Sequence, residues 1–361
     1  MLFLSWLPFL LVFYPAPGMD DTIAIIRGGG KVINQFPWAY SILFAKLGHL
    51  SRFMFGTREP AIFLATLIQM IVMATGLSYA TRWILKFTGK PWAGCILYIY
   101  FMLFPMVGNY SIAAVRDPLY SLAILLWVLF IIDHAFSKQE WNNKTFIYLA
   151  TLLMGTMFFR SNAPLIMSVL IICLVWEKER SVQRKIVAVF LVCLMVAIVP
   201  GHVIMKYKHI RPLFQESIAM PLQQVGRTFA LSGHIDSVDE EIFEHYFPRE
   251  KWIARYNPTT VDPIKWNKNF NRGMLNKEKK LFLTAWLHTM KYNFKTYVEA
   301  WMLTSYWNWN VKLLNPLSQS RFGWALDDSQ TNPMKPEYSG KLSPGKLPIP
   351  EILKDGLAYW H

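Results

Sequence analysis

Six apolar runs, at about 61–80, 91–108, 118–136, 146–159, 163–176 and 185–204, follow one another with only short polar loops between them. A helix in a soluble core needs one apolar stripe, so runs this uniform and nearly free of charge predict helices in a bilayer. There every backbone N–H and C=O must be satisfied within the segment, and ~20 residues are needed to cross. Composition agrees: of 361 residues, 53% are hydrophobic, and the mean hydropathy is +0.25.

Residues 2–14 are also apolar but shorter, ending at Tyr14-Pro15-Ala16-Pro17-Gly18. They have no basic leading region and no small-residue cleavage site, so they read as the outer end of a first membrane helix rather than a signal peptide. The runs at 146–159 and 163–176 are shorter than a full span and flank Arg160-Ser161-Asn162-Ala163-Pro164. That pair predicts either a shallow helical hairpin or two tilted helices meeting at a polar turn. Six or seven membrane helices are expected.

The net charge is +14, but the basic residues sit mostly in the loops and in the C-terminal third. No basic helix with interleaved stacking residues stands apart from the apolar runs, which excludes nucleic acid as the expected partner. Arg82, Lys86 and Lys90 follow one run, Lys138 and Lys144 another, and Lys178, Arg180, Arg184 and Lys185 a third. These loops alternate along the chain and are expected on the cytoplasmic side. Residues 15–60, the 109–117 turn, the Arg160 turn and everything after about 206 are then external. The three cysteines, Cys95, Cys173 and Cys193, lie inside apolar runs without CxxC spacing and read as small apolar fillers.

The expected organisation is an all-α integral membrane domain over 1–206, with the external loop 15–60, followed by an external, mainly helical domain over 207–361. From Lys206 onward the apolar periodicity is helical and broken by prolines. The stretch near 281–307 is interrupted at helical spacing by His288, Lys291, Lys295 and Glu299. It predicts an amphipathic helix lying on the membrane or on the domain core. The Pro- and Gly-rich end, Lys341 to His361, shows no clear stop, which leaves room for further membrane helices after it.

Three local features could carry chemistry. Asp20-Asp21-Thr22 follows the first apolar run and a Pro/Gly break, at the expected outer surface. A carboxylate there could act as a general base or hold a divalent cation such as Mg or Mn, and the same residues would equally start a helix at Ile23. Arg116-Asp117-Pro118 stands at another outer boundary, where aspartate before proline is also a good helix start. Arg160, between Phe158-Phe159 and Asn162, could snorkel to headgroups or clamp a lipid-linked phosphate. Arg227, after Gln223-Gln224-Val225-Gly226, is a weaker candidate of the same kind. Gly28-Gly29-Gly30-Lys31 lacks the phosphate-loop spacing and reads as an external loop.

Taken in order, Tyr14-Pro15, Asp21-Thr22, Asn34-Gln35-Phe36-Pro37, Arg116-Asp117, Phe159-Arg160-Ser161-Asn162, Pro221-Leu222-Gln223-Gln224 and Tyr256-Asn257-Pro258 through Val261-Asp262-Pro263-Ile264-Lys265 form a recognisable set. The set resembles a family of bacterial multi-pass membrane proteins that is itself similar to the GT-C superfamily of polyprenyl-phosphate-sugar glycosyltransferases. The resemblance spans about residues 10–310. It implies a GT-C-like helical fold in the bacterial cell membrane and transfer of a sugar from a polyprenyl-phosphate donor to an envelope polysaccharide or lipid-linked acceptor. It also implies Asp21, with Asp20 beside it, as the catalytic base, and Asp117 as a second outer acidic position, a metal ligand with Asp21. Arg116, Arg160 and Arg227 would bind the substrate. The sequence departs from the family at Gln35-Phe36, where a histidine before the proline is expected. Two rivals use the same features: a transporter or flippase of lipid-linked saccharides, which should show symmetric repeats that this sequence lacks, and a noncatalytic envelope-assembly protein.

Overall fold

A computed structural model of the chain describes residues 1–12, 14, 16, 25–26, 36–136, 140–174, 179–210 and 213–305. Asp20, Asp21, the Gly28 to Lys31 loop, Lys138, Lys178 and the C-terminal segment from 306 lie outside the described residues. Helices are the only regular elements among those described. The chain divides into two units, Met1–Ile210 and Arg211–Asn315, close to the boundary expected near 206.

The first unit is a bundle of α1 (Leu2–Val12), α2 (Trp38–Phe55), α3 (Glu59–Thr88), α4 (Pro91–Leu103), α5 (Pro105–Ile112), α6 (Asp117–Phe136), α7 (Asn143–Phe159), α8 (Ala163–Leu174) and α9 (Arg180–Tyr207). Among the described residues, three helices are long and apolar enough to cross a membrane: Pro60–Thr88, Asp117–His134 and Arg180–Tyr207. At 1.5 Å per residue the 28-residue α9 reaches about 42 Å. Its Leu191, Val192, Met195, Val196, Val199 and Val203 are exposed, which is the surface a lipid-facing helix presents.

The count differs from the six or seven expected. The run at 91–108 is not one helix but α4 and a helix starting at Met106, bent by 61° to each other, and counts as a fourth span only if the pair is taken together. Proline is the physical reason. It disfavours helical dihedrals in the residue before it, and Phe104 is accordingly extended, at φ −75° and ψ 112°. Among the described residues the remaining runs give α1, α7 and α8 with 11, 17 and 12 residues; α7 is too short to cross alone, and α1 and α8 end at the edge of the described stretches. The pair α7 and α8 flanks the turn at Arg160, and both lie against α9.

Two buried polar side chains make the break tolerable. In an unbroken helix the carbonyl of Phe101 would receive the N–H of residue 105, which proline lacks. The indole N–H of Trp6, fully buried on α1, donates to that carbonyl instead, at 3.0 Å. At the far end of α5 the amide of Gln69, buried on α3, reaches the carbonyls of Tyr110, Ser111 and Ala113 at 3.3, 3.1 and 2.6 Å. Without Trp6 the Phe101 carbonyl would lose this donor, at a cost of ~1–3 kcal/mol if nothing replaced it, whereas the carbonyls of Tyr110 and Ala113 also accept the backbone N–H groups of Ala113 and Val115, at 3.1 and 2.6 Å. The same bonds fix the turn that leads into Arg116 and Asp117.

Small residues set the helix spacing. A Cβ on Gly76 of α3 would stand 2.6 Å from a Leu122 methyl on α6, so the two helices approach only because that position carries none. Cys193, buried on α9, faces the carbonyl of Ala150 on α7 and serves as the expected filler, whereas Cys95 is exposed on α4.

The second unit holds α10 (Phe214–Ser217), α11 (Ala219–Ala230), α12 (Ser237–Tyr246), α13 (Arg249–Arg255), α14 (Asp262–Lys265), α15 (Arg272–Lys277) and α16 (Lys279–Thr304). Its core is aromatic: Phe229, Phe243, Tyr246, Phe247, Trp252, Phe270 and Phe282 pack together at mostly edge-to-face angles. The helix expected near 281–307 is α16. It buries Phe282, Ala285, Thr289, Tyr297 and Ala300, so it lies on the domain core. It is kinked at Asn293 (φ −123°, ψ 28°), whose side-chain amide donates to the carbonyls of Thr289 and His234 at 3.0 and 2.6 Å.

Candidate functional site

Arg116, Asp117 and Arg160 gather at one end of the first unit. Asp117 opens α6, as its place before Pro118 predicts, and its negative charge sits at the positive end of the helix dipole. Arg160 ends α7 in an extended conformation, its N–H donating to the carbonyl of Thr156 at 3.2 Å. Its positive charge lies at the negative end of that helix. Residues far apart in the chain, but each matched to its own helix terminus, therefore meet: Arg160 Nη2 is 2.5 Å from Asp117 Oδ1.

Aromatic rings frame the two guanidiniums. Arg116 lies 4.3 Å over the ring of Phe36, and Arg160 lies 5.5 Å over that of Tyr120, one helical turn after Asp117. Phe36 packs with Ile25 and Tyr40, and the ring of Phe159, next to Arg160, meets Tyr40 edge-on. A flat aromatic face holds a guanidinium through the ring quadrupole rather than through its N–H donors. The Arg160 and Asp117 side chains remain 39% and 43% exposed, so a ligand can reach both. Arg58 stands at the same end, just before α3, since Ile62 of that helix packs with Ala114. Sequence reasoning did not single it out.

Of the residues expected at the site, Asp117, Arg116 and Arg160 are brought together. Asp20 and Asp21 lie outside the described residues. Arg227 belongs to the second unit, on α11, where Nη2 is 2.7 Å from Glu299 Oε2 and Nη1 donates to the hydroxyl of Tyr256 at 3.3 Å. This bond holds the Glu299 carboxyl below the usual carboxylate range. Gln223 and Gln224 beside it are likewise spent on internal bonds: Gln223 to the carbonyl of Asn257, and Gln224 to that of Tyr297 and the indole of Trp286. The polar stretch 223–227 thus fastens α11 to its neighbours.

A second polar cluster escaped sequence reasoning. His288 Nδ1 on α16 lies 2.7 Å from Asp239 Oδ2 and 3.5 Å from Asp236 Oδ2, and His234 Nε2 lies 2.9 Å from Asp236 Oδ1. The signal was the run His234-Ile235-Asp236-Ser237-Val238-Asp239, which sets a histidine and two aspartates around a helix start.

A family model described as a family of unknown function (DUF6020) matches residues 30–319. No curated protein and no solved structure matches the chain.

Proposed function

We propose a function for a chain that belongs to this family of unknown function, DUF6020: a multi-pass membrane glycosyltransferase of GT-C-like fold. It moves a sugar from a polyprenyl-phosphate donor to an envelope polysaccharide or lipid-linked acceptor, on the outer face of a bacterial cell membrane. The observation that carries the reading is the meeting of Arg160 with Asp117, beside Arg116, at one end of a bundle with helices long and apolar enough to cross a membrane. Two guanidiniums held on aromatic faces at a membrane boundary suit the phosphate of a lipid-linked donor.

The reaction is a substitution at the anomeric carbon. The acceptor oxygen forms a bond to that carbon and loses its proton to the Asp21 carboxylate, with Asp20 as its neighbour, while the bond from carbon to phosphate oxygen breaks. Polyprenyl phosphate leaves, and the arginines stabilise the charge that grows on it. Asp117 keeps Arg160 in place. A divalent cation on Asp21 and Asp117 is the alternative use of these carboxylates, and it would require Arg160 to turn away. The test is release of polyprenyl phosphate by the purified protein in lipid, compared with the Asp21→Asn and Arg160→Ala variants.

One observation favours a second reading, a transporter of lipid-linked saccharides. The bent pair α4 and α5 is the kind of broken helix that lines transport sites. Movement of a labelled lipid-linked saccharide across vesicles, without release of polyprenyl phosphate, would select it.

A further inference from the structure

We propose that His288, Asp239 and Asp236 form a binding site for a divalent transition-metal ion of the zinc class, with His234 orienting the Asp236 carboxylate from its far side. The site lies within the second unit and goes beyond the transfer reaction, which uses none of these residues.

The backbone brings the donors together. Asp236 and Asp239 are three residues apart across the start of α12 and therefore share one face of its first turn. His288 projects from α16, which packs along α12. The loop before α12 is tied to α16 at its kink, because Asn293 donates to the carbonyl of His234 at 2.6 Å. Gly233 permits this close approach, since a Cβ there would stand 2.5 Å from Asn293 Oδ1.

The donor chemistry then points to a cation. One ring nitrogen faces oxygens of two separate carboxylates, and its single proton reaches only Asp239 at hydrogen-bonding distance, 2.7 Å against 3.5 Å for Asp236. A dication answers both carboxylates at once. The three donor atoms all lie within 4.8 Å of one another. Donors at ~2.1 Å from a tetrahedral zinc stand about 3.4 Å apart, so small side-chain rotations suffice. Asp239 is 6% exposed, and a buried carboxylate needs a compensating charge. His234 occupies the other oxygen of Asp236 at 2.9 Å, the outer hydrogen bond that characteristically fixes a ligating carboxylate. The imidazole favours zinc and its late-transition-metal neighbours over magnesium, calcium and manganese. Three protein donors leave a fourth position for water or for a hydroxyl or phosphate oxygen.

The experiment uses the full chain, without a histidine tag, in lipid nanodiscs after chelator treatment. Zinc chloride is titrated by calorimetry and cobalt chloride by visible absorption. The parent should bind one equivalent with tetrahedral or five-coordinate cobalt bands, and zinc should raise its Tm. Asp239→Asn and His288→Gln should each lose at least about tenfold in affinity, and His234→Ala about tenfold, as removal of an outer-shell partner does. Should Asp239→Asn fail to fold, judged by circular dichroism without metal, the more exposed Asp236→Asn carries the same test. Absence of a stoichiometric zinc site in the parent would overturn the proposal. So would parental zinc affinity in folded Asp236→Asn and His288→Gln.

Discussion

Arg160 Nη2 stands 2.5 Å from Asp117 Oδ1 and so closes the polar turn after α7 onto the first turn of α6. Both charges complement the dipole of the helix they terminate. The pair is reachable from outside, which separates a role in binding from a role in folding, because partly exposed ion pairs add only ~0–1 kcal/mol to stability.

Arg160→Ala should therefore leave the Tm within a few degrees of the parent while weakening polyprenyl-phosphate binding about tenfold or more, the loss of one charge-assisted hydrogen bond. Binding measured on nanodiscs checks this. Unchanged affinity would remove Arg160 from the site.

Asp21→Asn keeps the size and capping ability of the residue but cannot take a proton at neutral pH. Sugar transfer should fall by ~10²–10⁴-fold with expression and Tm near parental. Transfer at the parental rate would make Asp21 a cap and move the search for the base to Asp20 or Asp117.

Trp6→Phe and Gln69→Leu keep apolar bulk but delete the donors that serve the broken helix. Each should destabilise the bundle by ~1–3 kcal/mol, seen as a lower midpoint in denaturant within detergent. Gln69→Leu should also lower substrate affinity, because the turn it holds leads directly to Arg116 and Asp117. A neutral Gln69→Leu would show that the backbone N–H groups of Ala113 and Val115 hold the turn without it.

The Arg227–Glu299 bond predicts an acid-sensitive contribution in the second unit. Its carboxyl is depressed in the fold, so the contribution is present above the ordinary value of 4.5 and is lost as pH falls through the depressed one. Glu299→Gln should therefore lower the Tm near neutral pH and converge with the parent in acid. A difference that persists unchanged at low pH would mean the effect is packing.

Single cysteines introduced at Ser181, at the start of α9, and at Ser237, at the start of α12, should label from opposite faces of intact cells, with Ser237 outside. The intervening α9 is long enough to cross, and the basic loops give the direction. Labelling from one face alone would refute the arrangement.

Helix positions were legible because they depend on local rules, apolar run length and polar residues at run ends, whereas the pairing of Asp117 with Arg160, across the length of α6 and α7, was not. The break before Pro105 was written in the sequence too, yet proline is common enough in membrane helices that the apolar run outweighed it. What repairs the break was not legible: Trp6 and Phe101 are 95 positions apart, and Gln69 lies about 40 positions from its carbonyls. The His288 and Asp239 contact spans 49 positions in the same way. Arg227 reads from the sequence as a weaker candidate of the same kind as Arg160. Its partner Glu299 is 72 positions downstream.

The shortness of α7 sets the shape of the membrane around it. A helix of 17 residues reaches about 25 Å, against a hydrocarbon core of ~30 Å. In the proposed bilayer setting, lipid beside this helix has to thin to meet it. Headgroups and water then dip toward Arg160, and a polyprenyl chain can stay dissolved among the acyl tails while its phosphate slides sideways onto the guanidinium. Substrate entry would need no gate, only a local dimple in the leaflet.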